Sequence, residues 1–163
     1  MEDILKNYID LSSESDNPFL NLKIDKRPIK KYYETSIDSI RLMERTRTKS
    51  INLFLSGGLD SAFVFKMLCE LQIDFRPVIV QITNGIDFCY NHHDIKNAFT
   101  LCQENKKEPL VINYDFDTFV KSGKLIDISN TYKCYTSSQC WHLDVAKIID
   151  GCNLLCGNVG RPD

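Results

Sequence analysis

In the stretch "INLFLSGGLDSAFVFKMLCE" (51–70), two hydroxyls, two glycines and a carboxylate fall within six residues, Ser56 to Ser61. The chain has seven glycines, and two of them stand together here. If Leu55 ends a strand and Asp60 begins a helix, Gly57 and Gly58 take backbone angles closed to other residues and carry no Cβ to block a ligand. Their N–H groups, with those of the first helical turn, make a concave donor array at a positive dipole end. Ser56 and Ser61 add hydroxyl donors. The set suits a phosphate or pyrophosphate. Asp60 would repel a polyphosphate by itself. A bridging Mg²⁺ resolves the conflict, because hard cations take carboxylate and phosphate oxygens together. The competing explanation is a tight turn in which Asp60 or Ser61 only caps the helix. A glycine pair alone would fit that turn, whereas all six residues in a strand–turn–helix context favour phosphate. No lysine follows the glycines, so this is not a Walker A loop, and the spacing is not the G-x-G-x-x-G dinucleotide pattern.

The elements that must position this turn follow from periodicity. "SIDSIRLMERTRT" predicts a helix over about 36–48, capped by Ser36 or Asp38. "INLFLS" is a short, nearly continuous apolar run, as expected of a strand covered on both faces. "SAFVFKMLCELQ" has Phe63, Met67 and Leu71 at helical spacing. "RPVIVQIT" and "EPLVINY" read as strands. Between them, "NHHDIKNAFTLCQENK" reads as a helix with Asn91 near its cap and Ile95, Ala98, Phe99 and Cys102 on one face. "DFDTFVKSG" reads as a short helix closed by Gly123. "TSSQCWHLDVAKIID" follows as a helix capped by Thr136, Ser137 or Ser138, with Trp141, Val145 and Ile148 as its stripe. "NLLCG" is a last strand. The alternation predicts an α/β fold, a parallel sheet of four to five strands with helices on both faces. Ligands of such sheets bind beyond the carboxyl ends of the strands, where the strand order reverses. The 56–61 turn and the terminal "CGNVGRPD" both fall at such ends.

"SGGLDS" resembles the SGG-x-D-S PP-loop signature of the N-type ATP pyrophosphatases, whose fold is the adenine nucleotide alpha hydrolase-like variant of the Rossmann-like class. The run "SINLFLSGGLDSA" is most similar to the synthetase domain of asparagine synthetase, and the likeness extends over roughly residues 36–163. The resemblance implies an AMP-forming ligase. ATP would be split between its α and β phosphates, AMP placed on a substrate carboxylate or carbonyl, and pyrophosphate released before a nitrogen nucleophile displaces AMP. It implies ATP and Mg²⁺ as cofactors. Ser56, Gly57, Gly58, Leu59, Asp60 and Ser61 would hold pyrophosphate. Asp60 would act through Mg²⁺, and Asp60 and Ser61 would be the catalytic pair. Leu55, Ile82 and Thr83, at the ends of the first two strands, would meet adenine and ribose, as would Gly157.

That family carries a further loop of the form S-G-x-G-x-D-E after its fourth strand. "CGNVGRPD" offers Gly157 for its glycine, Arg161 for a phosphate contact and Asp163 as a second metal-side carboxylate, with a longer spacing and an intervening Arg-Pro pair. A polar loop with a solvated arginine explains the same residues. The sequence stops at Asp163, so the sheet is expected to be C-terminally incomplete or completed by another subunit. The second residue is Glu2 rather than a glutamine-cleaving cysteine. The expected partners are therefore ATP, a small-molecule acceptor, and a partner glutaminase or a second copy of the chain. Two other activities compete. A relative of the phosphoadenylylsulfate reductases would use Cys134 or Cys140 as a nucleophile, and a degenerate subunit would bind nucleotide without catalysis.

Composition bounds the rest. The 163 residues are 43% hydrophobic and 26% charged with net charge −2, which fits one globular domain and offers no global basic field for nucleic acid. No apolar run approaches the roughly 20 residues of a membrane span. The N-terminus lacks a basic segment followed by an apolar one, so no secretory signal is expected and the expected location is the cytoplasm. Residues 1–35 read as an extension with a short helix near 3–10, and residues 36–163 as the nucleotide-binding domain. "KIDKRPIKKYY" mixes charge and aromatics, either as a solvated face or as a contact for tRNA. The seven cysteines include no C-x-x-C pair, and buried small hydrophobes are their expected role. Cys134, Cys140 and His142 would need a fourth ligand to hold a metal. His92 and His93 are adjacent and share no helix face, which argues against a two-histidine site, and Asp94 is expected in a first helical turn.

Overall fold

The computed structural model describes residues 31–132, 134 and 140–155. The chain divides into two compact units, Met1–Ser36 and Ile37–Asp163. All described strands belong to the second. The order is α1 (Tyr32–Thr46), β1 (Ile51–Phe54), α2 (Leu59–Glu70), β2 (Phe75–Thr83), α3 (His92–Glu104), β3 (Leu110–Asp115), α4 (Phe116–Lys121), α5 (Lys124–Tyr132), α6 (Cys140–Ile148) and β4 (Cys152–Leu155). No helix among the described residues is long and apolar enough to cross a membrane.

The four strands form one parallel sheet in the order β3-β2-β1-β4. Ile51 stands opposite Phe75 on one side and Cys152 on the other, which fixes the register of the centre. All four residues of β1 are buried, as its nearly continuous apolar run implies for a strand covered on both faces. Leu53, Leu55 and Ile79 pack under Phe65 and Leu68 of α2, Ile95 and Ala98 of α3, and Ile40 of α1. Phe54, Val78 and Val80 face the other way, against Phe119, Ile128 and Val145 of α4, α5 and α6. The result is three layers with two cores. Each fully buried Leu, Val, Ile or Phe contributes about 1.5–3 kcal/mol.

One polar side chain lies at the centre of the sheet. Asn52, fully buried on β1, donates from Nδ2 to the Asp150 carbonyl (3.0 Å) and to Asn153 Oδ1 (2.8 Å), and accepts from Arg76 Nε at 3.0 Å. Asn153 passes the bonding on to the carbonyls of Ala146 (2.8 Å) and Ile149 (3.1 Å) at the end of α6. Gly151, at φ +140°, is glycine because a Cβ there would overlap the Asn52 amide.

Several expectations shift. The first helix starts at Tyr32 rather than 36. Ser36 and Asp38 lie inside it, and the Ser36 hydroxyl bonds back to the Tyr32 carbonyl at 2.9 Å instead of capping. α5 was not expected; it follows directly from the turn at Gly123. On α6 the buried face is Cys140, Asp144 and Val145, while Ile148 is 69% exposed, so the Trp141–Val145–Ile148 stripe is rotated. Asp144 explains the rotation. It accepts from the buried Tyr114 hydroxyl at 3.0 Å and pairs with Lys124 at 2.9 Å, which draws that side of the helix inward. The helix expected near 3–10 and the caps Thr136, Ser137 and Ser138 lie outside the described residues.

Replacing Asn52 with Ala strands the Arg76 and Asn153 groups that it satisfies and leaves a cavity. The variant should lose about 3 kcal/mol in urea unfolding, and a loss below about 1 kcal/mol would show that the network is incidental. Asp115 caps α4, accepting from the Thr118 hydroxyl and N–H, and these bonds hold its carboxyl below the usual carboxylate range. The stability it contributes is present above the unfolded carboxylate pKa and is lost as pH falls through its lower folded value. The Thr118 amide resonance should therefore titrate below pH ~3.9.

Candidate functional site

The chain runs β1–α2–β2–α3–β3 outward on one side of β1 and returns on the other as β4. The strand order therefore reverses between β1 and β4, and the 56–61 turn lies at the carboxyl end of β1 beside that point. Leu55 continues the ladder, its N–H donating to the Val78 carbonyl at 2.8 Å. The chain then turns sharply and enters α2 at Leu59.

The two glycines are required for different reasons. Gly57 has φ +88°, and a Cβ on it would collide with the backbone carbonyl of Asp94 in the first turn of α3. It is glycine because another helix is pressed against it. Gly58 has an ordinary φ of −81°. A Cβ there would meet only Ser56 Oγ, at 3.5 Å, an ordinary van der Waals contact. Nothing among the described residues requires glycine at 58, and the residue is exposed.

Gly58 is also the N-cap of α2, and no side chain caps the helix. Asp60 is the second helical residue and Ser61 the third, so the capping explanation of these two residues does not hold. The Ser61 hydroxyl, 1% exposed, donates to the Gly58 carbonyl at 3.1 Å and lies 3.1 Å from Ser56 Oγ. The Gly58 N–H makes a long contact to Ser56 Oγ at 3.4 Å. These bonds fix the two hydroxyls together. The first-turn amides of α2 carry no side-chain acceptor, and an uncapped helix start beside an open glycine suits an anion. Asp60 is exposed, as is Leu59 at 90%. Asp60 is the exposed carboxylate through which a Mg²⁺ would be held, jointly with the oxygens of a bound phosphate. No group of three or more His, Cys, Asp or Glu among the described residues could hold a metal, which also leaves Cys134, Cys140 and His142 without the ligand set they would need.

The second strand end is more occupied than its sequence suggests. The Ile82 N–H donates to Asn91 Oδ1 at 2.9 Å, and its carbonyl accepts from the Tyr90 N–H at 2.7 Å. The Asn91 amide also donates to the Val80 carbonyl at 2.9 Å. Asn91 sits at the N-cap of α3, but its side chain extends the ladder of β2 where β1 has ended. The Thr83 hydroxyl accepts from the Gly85 N–H at 3.2 Å and donates to the Tyr114 carbonyl at 3.4 Å. Leu55 is buried in the core. Gly157, Arg161 and Asp163 lie outside the described residues.

The thiols are poorly placed for nucleophilic work. Cys140 is fully buried, and burial, then a hydrogen bond with Cys140, pushes the Cys134 thiol up. Burial raises Cys102 to about 11. None of the six described cysteines is in a disulfide.

No family model matches the chain, and no curated protein matches it. Among solved structures, it is similar to an NH3-dependent NAD synthetase from Campylobacter jejuni subsp. jejuni NCTC 11168 in complex with the nitrate ion, at 21% identity and a TM-score of 0.39. The match covers 68% of this chain and 44% of that one, so the chain spans less than half of that enzyme's length.

The glycine pair separates packing from binding. Gly57→Ala should cost at least about 2 kcal/mol from the left-handed backbone alone. Gly58→Ala should stay within about 1 kcal/mol of the parent in thermal unfolding. Equal losses at the two positions would contradict the division of roles.

Proposed function

We propose that the chain binds ATP with Mg²⁺ at the 56–61 turn and is an AMP-forming ligase of the PP-loop ATP pyrophosphatase type. The observation that carries this is Gly58: a helix start with no side-chain cap, at an exposed glycine that no contact among the described residues requires. The "SGGLDS" resemblance gives the phosphate its identity as the polyphosphate of ATP.

In this mechanism, Ser56 and the amides from Gly57 onward hold the β and γ phosphates as they become pyrophosphate, and the buried Ser61 hydroxyl positions that of Ser56. Donors fixed beforehand at the position where charge develops stabilise that charge without reorganisation. Mg²⁺, when bound, supplies Lewis-acid neutralisation of the phosphate oxygens. Asp60 anchors that charge from the protein side. AMP passes to a carboxylate or carbonyl oxygen of the acceptor, and a nitrogen nucleophile then displaces it, as in asparagine synthetase-like chemistry. The acceptor is a small molecule. The nitrogen comes from ammonia, an amine, a partner glutaminase or a partnership with a second copy.

The thiol-based alternative has no observation among the described residues in its favour, since Cys140 is buried and burial, then a hydrogen bond with Cys140, pushes the Cys134 thiol up.

Pyrophosphate release from ATP–Mg²⁺, measured across a panel of carboxylate acceptors with an ammonium donor, tests the proposal. Asp60→Asn should lower release about 100-fold or more, and Gly58→Ala should abolish ATP binding in calorimetry. Tight ATP binding with no release for any acceptor would convert the chain to a non-catalytic nucleotide module. Unchanged release in Asp60→Asn would remove the proposed role of the carboxylate.

A further inference from the structure

Two of the described thiols touch. Cys134, half-buried just beyond α5, and Cys140, fully buried as the first residue of α6, share a hydrogen bond. Both belong to the core on the α4–α6 face, with Ile128 of α5 and Val145 of α6. Their backbones are fixed independently of the contact. The Cys134 N–H donates to the Ser129 carbonyl at 3.0 Å and closes the end of α5. Cys140 is set by α6, which Lys124 of α5 holds through Asp144 at 2.9 Å.

Burial alone would make either residue a small apolar side chain. It gives no reason for two sulfurs to be brought together from two helices. Among the described residues no other two thiols are so arranged. Cys89 donates to Asn91 Oδ1 at 3.4 Å, and Cys69 and Cys102 lie in the opposite core with no hydrogen bond between them. Cys134 and Cys140 need only a side-chain shift from hydrogen-bond to bond distance to be joined.

We propose that Cys134 and Cys140 form an oxidation site, which a low-molecular-weight disulfide converts to an intramolecular cross-link between the end of α5 and the start of α6. The half-buried Cys134 is the sulfur that a solvent-borne oxidant reaches first. As its thiolate it attacks one sulfur of the oxidant and expels the other as a thiolate. Cys140 then loses its proton, attacks Cys134 Sγ and expels the second thiolate. Two protein thiols are oxidised by two electrons, the oxidant is reduced to two thiols, and the two protein protons pass to them. Burial, then the hydrogen bond with Cys140, pushes the Cys134 thiol up, so the first attack is slow at neutral pH. The same property makes Cys134 a poor leaving group, so the finished bond reopens slowly. The result is a lasting covalent mark and not a catalytic thiol. Neither residue takes part in the nucleotide assignment.

The test equilibrates the full chain with reduced and oxidised glutathione at about pH 8.5. Free thiols are then trapped with iodoacetamide under denaturing conditions, and the peptides are mapped by mass spectrometry. Oxidation should link Cys134 to Cys140 and leave the other five of the seven cysteines alkylated. Because the fold holds the sulfurs together, half-oxidation should require at least about 10-fold less oxidised glutathione in the native chain than in urea. Cys134→Ser should abolish the link and leave Cys140 alkylated. If that variant fails to fold, the peptide map and the urea comparison, both made on the parent chain, decide. A stable glutathione adduct on Cys134, a link to any other cysteine, two free thiols in fully oxidised glutathione, or equal midpoints with and without urea would overturn the proposal.

Discussion

The hydrogen bonding of Asn52 is the constraint from which the architecture follows. A parallel sheet brings its strands together by separate crossovers, and β4 reaches β1 only after the chain has built the whole other half of the sheet. The Asn52–Asn153 bond at 2.8 Å joins the first strand to the last across 101 residues. It does so on the side where the strand order reverses. A buried amide with its bonds unmade costs about 1–3 kcal/mol. Any register of β4 that leaves Asn52 unpaired is penalised by that amount, beyond what the apolar contacts would impose.

The 56–61 turn depends on a second kind of fit, between backbones. α3 approaches so closely that its Asp94 carbonyl lies where a Cβ of residue 57 would be. That approach is held by Ile95, Ala98 and Cys102, which bury α3 against the same core as α2. Asn91 contributes from the other end by tying the start of α3 to β2. The start of α2 and the end of β1 are therefore fixed from both sides, while the face above Gly58 stays open. Rigid support beneath a helix start without a side-chain cap is the arrangement that the proposed function needs, since a preorganised site does not reorganise when charge develops.

Much of this was legible in the sequence because burial on both faces leaves a strong imprint. "INLFL" and "PVIVQI" could hardly be anything but interior strands, and the helical stripes of α2 and α3 point to the core as their spacing implies. The illegible parts are those decided by tertiary partners. α5 begins one residue after the glycine that closes α4, and its Ser, Asn and Thr residues are weak helix formers. Asp144 reads as a surface residue until Tyr114 and Lys124 are placed beside it. Asn91 reads as a cap, and no local signal shows that its amide serves the neighbouring strand instead. In the candidate site, the sequence displays two equivalent glycines, and only the position of α3 distinguishes them.

The contact at Gly57 also bears on how this chain can change over generations. Where a side chain crowds another side chain, a smaller residue at the second position restores the fit. The atom facing Gly57 is a main-chain oxygen, present whatever residue occupies position 94. No substitution elsewhere on α3 trims it away, so a change at 57 has no local suppressor and is reversed only by reversion or by moving a whole helix. Gly58 is held by no such neighbour among the described residues, so on the proposed function its tolerance is set by the nucleotide, and a descendant that abandoned the nucleotide would be free to lose it first.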